Sequence, residues 1–154
     1  MFSADVMSIL EAGTSLIVGT VGTDGEPRAT RAFALTVVDG TTNRVRVVIS
    51  ADDPVVVDHL QTGRIAVTAA DVRTLRSAQL KGRIASVDAP ADADRALLVE
   101  HSESFFRAIS EIDGHDVVVS RQLLPLDVVC VEMIVDELYD QTPGPTAGRA
   151  VSLA

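Results

Sequence analysis

Between residues 75 and 87 the odd positions carry Ser77, Gln79, Lys81 and Arg83, and the even ones Ala78, Leu80, Gly82 and Ile84. Side chains alternate between the two faces of a strand, so one face here is apolar and the other is a row of hydrogen-bond donors. Such a row is either an ordinary solvated sheet face or the wall of a groove for a planar or anionic ligand. Gly82 marks either a close approach to the backbone or a bulge. In the segment 28–38, Arg31 shares parity with Phe33, Leu35 and Val37. A permanently charged guanidinium on an apolar row needs a carboxylate, a phosphate or water. Ser50, Asp52 and Asp53 stand where a strand meets a helix. A helix N-terminus offers free amides to an anion, but an Asp at the cap occupies them and repels a second negative group. These three read as capping and turn residues, and any phosphate nearby would have to rely on Arg31 and Lys81.

Other chemistries find little support. His59, His101 and His115 are far apart and lack paired metal-ligand spacing, so surface or helix-face roles are expected and no metal site. The sequence has no G-x-x-x-x-G-K-[ST], no G-x-G-x-x-G after a strand and no G-x-S-x-G elbow, which argues against P-loop, dinucleotide-fold and serine hydrolase chemistry. Cys130, in the apolar run "DVVCVEMIV", is the single cysteine and reads as a buried structural thiol. A net charge of −9 argues against nucleic-acid binding, which depends on neutralising phosphates with Lys and Arg. The longest apolar run falls well short of the roughly 20 residues that cross a bilayer, so no membrane partner is expected. The start "MFSADVMSIL" lacks a basic leader, and the reducing habit of a lone thiol fits it; the expected location is cytoplasmic.

The elements that must position these residues follow from periodicity and turn chemistry. Ser3 opens a short helix with Val6, Ile9 and Leu10 at helical spacing, stopped at Gly13. "LIVGTVG", "RATRAFALTVV" and "RVRVVIS" are strands joined by the turns "TDGEP" and "DGTTN". "DDPVVVDHLQTG" is a helix with Pro54 at its first position and Gly63 just past its end. "RIAVTAAD" and "LRSAQLKGRIASV" are two further strands. Residues 91–112 form the longest helix, with Asp92 and Asp94 near its N-terminus and Leu97, Phe105, Ile109 and Ile112 on one face. "LDVVCVEMIVDEL" is the sixth strand. The tail, 141–154, is loop-like with two prolines and two glycines. The fold class is therefore mainly β with flanking helices: a six-stranded antiparallel barrel over 1–140, closed or nearly closed because that removes exposed edges.

"GTVGTDGEPRATR", "HLQTGRIAVTAAD" and "AQLKGRIASV", in that order and spacing, resemble the pyridoxamine 5'-phosphate oxidase-like FMN-binding split barrels. The likeness covers roughly residues 5–136, and "DQTPGPTAG" is similar to tails of small members. The resemblance implies a split β-barrel, a homodimer with cofactor grooves between subunits, and FMN-dependent oxidoreductase activity on a small molecule. It places Arg31 on the flavin phosphate, Thr36 and Ser50 in auxiliary hydrogen bonds, and Ser77, Gln79 and Lys81 along the ring or ribityl edge. Thr36 stands where the oxidases carry a basic residue, the Ser-Arg-Lys run after "VVIS" is replaced by "ADDPVVV", and Ser77 replaces a glutamine, with Gln79 two residues on. The tail has only Arg149 and no Trp, which argues against pyridoxamine phosphate oxidation itself. The competing expectation is a non-catalytic ligand-binding or interaction module; a deazaflavin or haem protein fits less well, for want of further cations and a placed histidine.

Overall fold

Val, Leu and Ile alternating with small and polar residues build seven strands: β1 (Ser15–Val21), β2 (Pro27–Asp39), β3 (Arg44–Ser50), β4 (Arg64–Ala70), β5 (Ser77–Asp88), β6 (Val128–Asp140) and β7 (Arg149–Val151). The helices are α1 (Ala4–Leu10), α2 (Pro54–His59), α3 (Asp92–Asp113) and α4 (Val117–Ser120). The computed structural model of the chain describes residues 2–39, 41–114 and 116–153. Gly40, in the second turn, and His115 lie outside the described residues.

The strands run in the spatial order β3-β2-β1-β4-β5-β6, every neighbouring pair antiparallel, and β3 pairs back onto β6 from Arg44 with Ile134 to Ser50 with Val128. That last pairing closes a six-stranded barrel and removes the edges of its long strands. Val18, Val47, Val67, Leu80, Val131 and Met133 point inward and are fully buried. Each such side chain contributes about 1.5–3 kcal/mol relative to leaving it in water.

α1 closes one end of the barrel. Ser3 Oγ accepts a hydrogen bond from the Val6 amide, and Val6, Ile9 and Leu10 join the barrel core. The helix stops at Leu10, short of Gly13, which sits in the connection to β1 with φ +63°. At the other end the Asp53 carboxylate accepts from the Val55 amide, Pro54 follows, and α2 runs on as a 3₁₀ turn through Thr62 until Gly63 ends it at φ +78°. Asp53 is thus the cap, as its position predicted.

Two details depart from the sequence reading. The tail is not wholly loop: Arg149–Val151 pairs with the end of β6, and Val151 and Leu153 pack against the core. The buried face of α3 is not the line Leu97, Phe105, Ile109, Ile112; Asp94, His101, Ser102, Phe106 and Ala108 are buried, and Ile112 is exposed. Polar groups hold that face. Asp94 pairs with Arg46, His101 Nε2 lies 3.0 Å from the Thr14 carbonyl, and the Ser102 hydroxyl reaches the Phe33 carbonyl. Of the surface or helix-face roles expected for the histidines, His59 and His101 take the second, buried on faces of α2 and α3.

The Thr14 carbonyl can only accept, so His101 donates from Nε2. Burial pushes its pKa below 6.5, against the opposing pull of that carbonyl. A base held neutral by burial binds fewer protons folded than unfolded. Its contribution to stability is complete above pH 6.5 and is lost as the pH falls through 6.5 toward the lower folded value. The thermal midpoint should therefore drop between about pH 7.5 and about pH 5.5, with a smaller drop in His101→Gln. An identical drop in both proteins would assign the effect to another group.

Candidate functional site

α3 covers one side of the barrel. Its Leu97 and Leu98 pack on Ala34, Val48, Val128 and Cys130, which face outward from β2, β3 and β6. The Cys130 thiol is fully buried there, its pKa pushed up to about 11 by burial and by the charge of Asp94. It remains a thiol and has a packing role.

Among the described residues, no helix packs across the outer face of β1, β4 and β5. Two adjacent rungs of cross-strand neighbours define it. One runs Arg31, Ile17, Thr68, Gln79, Tyr139 across β2, β1, β4, β5 and β6. The other runs Ala29, Gly19, Ala66, Lys81, Glu137 across the same strands. The second rung has almost no side-chain bulk over its first three positions, so the sheet surface there is a floor. A groove of about 780 Å³ lies over Gly19, Ala66 and Gly82, bordered by Arg64, Lys81 and Arg83.

The polar groups along this face are arranged by one another. Gln79 Nε2 donates to Thr68 Oγ1 at 3.0 Å, and Gln141 Nε2 donates to Gln79 Oε1 at 3.4 Å. The Lys81 ammonium sits 4.6 Å from the centre of the Tyr139 ring, a cation–π contact that leaves its hydrogen-bond donors free. The Tyr139 hydroxyl donates to Glu137, which raises the Tyr139 pKa. A bulge in β6 between Val135 and Glu137 turns both Asp136 and Glu137 outward, and Asp136 accepts two hydrogen bonds from Arg83, at 3.0 and 3.1 Å.

Of the six residues predicted to hold a ligand, Arg31, Gln79 and Lys81 share this face. Arg31 and Gln79 occupy one rung three strand spacings apart, about 14 Å. Arg31 is exposed and has no ion-pair partner among the described residues. Its neighbours are not those that parity implied. A bulge between Ala32 and Ala34 shifts the register, so Leu35 points into the core while Arg31 points out beside Ile17. Thr36 lies farther along β2, opposite Arg46. Ser50 is buried at the end of β3, where its hydroxyl donates to Asp52 and accepts from the Asp52 amide. The Ser77 hydroxyl is buried and donates to the Leu75 carbonyl. Thr36 and Ser50 thus lie on other strands than Gln79 and Lys81, and Ser77, two residues before Gln79 on β5, turns its hydroxyl to its own loop. Arg64, Thr68 and Tyr139 went unnoticed in the sequence; Arg64 and Thr68 share parity on β4, and counting their parity against 77–83 would have found them.

No family model matches this chain, and no curated protein does. Solved structures do. The Group A Streptococcus protein HupZ superposes with TM-score 0.59 over 96% of this chain and 100% of its own, at 12% identity. A putative pyridoxamine 5'-phosphate oxidase from Lactobacillus delbrueckii gives 0.55 over 90% and 93%, at 14% identity. An F420 reductase gives 0.53 over 85% and 93%, at 17% identity. The fold is the split barrel of pyridoxamine 5'-phosphate oxidase-like proteins.

In this split barrel the cations of β3 are already committed. Arg44 pairs with Glu132, and Arg46 pairs with Asp94 and Asp88. At the β3–α2 junction Asp52 binds the Ser50 hydroxyl and the Asp127 amide, while Asp53 caps α2. The junction presents carboxylates, so its residues do not fit a phosphate. The flat floor and amide row of the outer face do fit a planar, hydrogen-bonding ring. Among the described residues there is no group of three or more His, Cys, Asp or Glu placed for a metal ion, and no helix long and apolar enough to cross a membrane.

Proposed function

We propose that this chain is a homodimeric flavin-binding oxidoreductase that holds the ring of FMN on the outer face of β1, β4 and β5. The observation that carries the reading is the bare Ala29–Gly19–Ala66 floor, edged by the Gln79 amide and the Lys81 ammonium. A planar ring needs a floor without side-chain bulk and donors at its edge. Gln79, fixed between Thr68 and Gln141, would hold one edge of the ring; Lys81 would favour negative charge beside it. Arg31 would meet the phosphate. Bound flavin supplies hydride chemistry, and the protein supplies placement and charge.

A ring laid on an open sheet has its other side in water. A second copy over this face would exclude that water, and Ile17, at 42% exposure in the middle of the face, supplies apolar surface for the contact. A specific observation favours the competing reading, a binding module without redox activity: Asp52 and Asp53 occupy the strand–helix junction where the resemblance expects cations.

Fluorescence titration separates the two. FMN and riboflavin should both be quenched at micromolar protein, and Arg31→Ala should weaken FMN about tenfold while leaving riboflavin unchanged, the loss of one charge-assisted contact. Light scattering should give a dimer. A dimer that binds neither flavin up to millimolar concentration leaves the module, and a stable monomer removes the shared groove.

A further inference from the structure

Charge is left unbalanced at the α2 end of the groove. Arg64 and Arg83 are direct cross-strand partners between β4 and β5, and like charges placed opposite one another weaken a sheet. Lys81 projects from the same face of β5. The bulge in β6 supplies one carboxylate to this trio: Asp136 binds Arg83, while Glu137 is engaged by the Tyr139 hydroxyl. Among the described residues neither Arg64 nor Lys81 has an ion-pair partner. Acids are not scarce, since the chain has 22 against 13 basic residues. Two unneutralised cations and a third on an anchored arm therefore converge on one concave surface with a glycine and alanine floor.

We propose that this groove is an oxyanion site in which Arg64 and Lys81 grip a phosphoryl or carboxylate group, and Arg83, braced by Asp136, donates a third contact. The spacing suits a group borne on a small molecule, because about 780 Å³ accommodates more than the anion alone. The braced Arg83 loses little side-chain freedom on binding, whereas Arg64 and Lys81 supply the charge. The site shares Gly19, Ala66 and Lys81 with the proposed flavin floor but does not require flavin, since its other cations, Arg64 and Arg83, lie one rung beyond Lys81, farther from Gln79 and Arg31.

The test is a titration of the ¹⁵N-labelled full chain with inorganic phosphate, and separately with succinate, read by amide chemical shifts. Saturable shifts centred on Gly19, Ala66 and Gly82 are expected, with phosphate alone pointing to a phosphoryl ligand and succinate alone to a carboxylate. Arg64→Gln and Lys81→Gln should each weaken the better probe about tenfold, and Arg31→Gln should leave it unchanged. Both substitutions fall on exposed side chains, so the variants should fold, and unchanged dispersion elsewhere in the spectrum verifies it. Absence of saturation with both probes, shifts centred elsewhere, or equal affinity in Arg64→Gln would overturn the proposal. Saturation without riboflavin binding would leave this site standing and remove the flavin; riboflavin binding without saturation would do the reverse.

Discussion

Asp94→Ala is expected to cost about 3–5 kcal/mol, the range for removing one partner of a buried ion pair. Asp94 is 6% exposed at its side chain and Arg46 19%. The carboxylate accepts from Arg46 Nε at 2.6 Å and Nη2 at 2.9 Å, and also from the Ala91 amide at 2.8 Å. Truncation therefore strands a guanidinium between α3 and the barrel and leaves the first turn of α3 without its side-chain acceptor, an effect of about 1 kcal/mol in itself. Asp88, which keeps one contact with Arg46 at 3.3 Å, is half-exposed and too well solvated to replace the two bonds lost. Asp94→Asn separates the contributions, since an amide oxygen can still accept from Ala91 while the charge is gone. Replacing both residues by apolar ones of similar volume, Arg46→Met with Asp94→Leu, should recover much of the loss. Urea unfolding near neutral pH measures all three variants, and a loss below about 1 kcal/mol for Asp94→Ala would mean that the pair is effectively solvated.

The same pair gives a direction with pH. Arg46 holds the Asp94 carboxyl at about 2, down from 3.8, so the folded chain binds fewer protons here than the unfolded one. Its stabilisation is complete above 3.8 and is lost as the pH falls through about 2. The gap between wild type and Asp94→Asn should close over that window.

That ion pair was invisible in the sequence. Arg46 and Asp94 are 48 residues apart and belong to elements whose packing no periodicity reveals. What could be read was local. The six barrel strands and the helices α1, α2 and α3 follow from alternation, from caps at Ser3 and Asp53, and from stops such as Gly63. α4 and β7 are too short to carry a period. The face of Arg31 was misread because parity assumes an unbroken strand, and one extra residue at Phe33 exchanges inside for outside beyond it. The face of α3 was misread because polar side chains, which an apolar count discards, bind backbone carbonyls of the barrel. Gln79 and Lys81 were placed correctly since the segment from Ala78 to Lys81 pairs in continuous register with both neighbours.

The register changes immediately afterwards, and the residue at the change carries the second large prediction: Gly82→Ala should destabilise the barrel by about 3 kcal/mol, at the upper end of overpacking costs, and Gly82→Val should not yield a folded chain. Gly82 is not needed for its backbone angles, because its φ lies outside the left-handed range. It is needed for space. A methyl group on it would run into the carbonyl of Ile134 and come within 3.0 Å of Val135 Cα. Both are backbone, so neither can rotate away. Relief requires β5 and β6 to separate where Lys81 pairs with Glu137 and Gly82 with Val135, which would undo the bulge that turns Asp136 toward Arg83. Fold and groove are therefore coupled through one missing side chain. Gly19→Ala is the matching control, since a methyl there meets only Ala66 Cβ at 4.0 Å. It should leave the unfolding midpoint nearly unchanged while raising the groove floor, so that the affinity for a flat ligand falls and the stability does not. Equal destabilisation by the two substitutions would show that lost glycine flexibility, rather than the close approach of β6, decides the outcome.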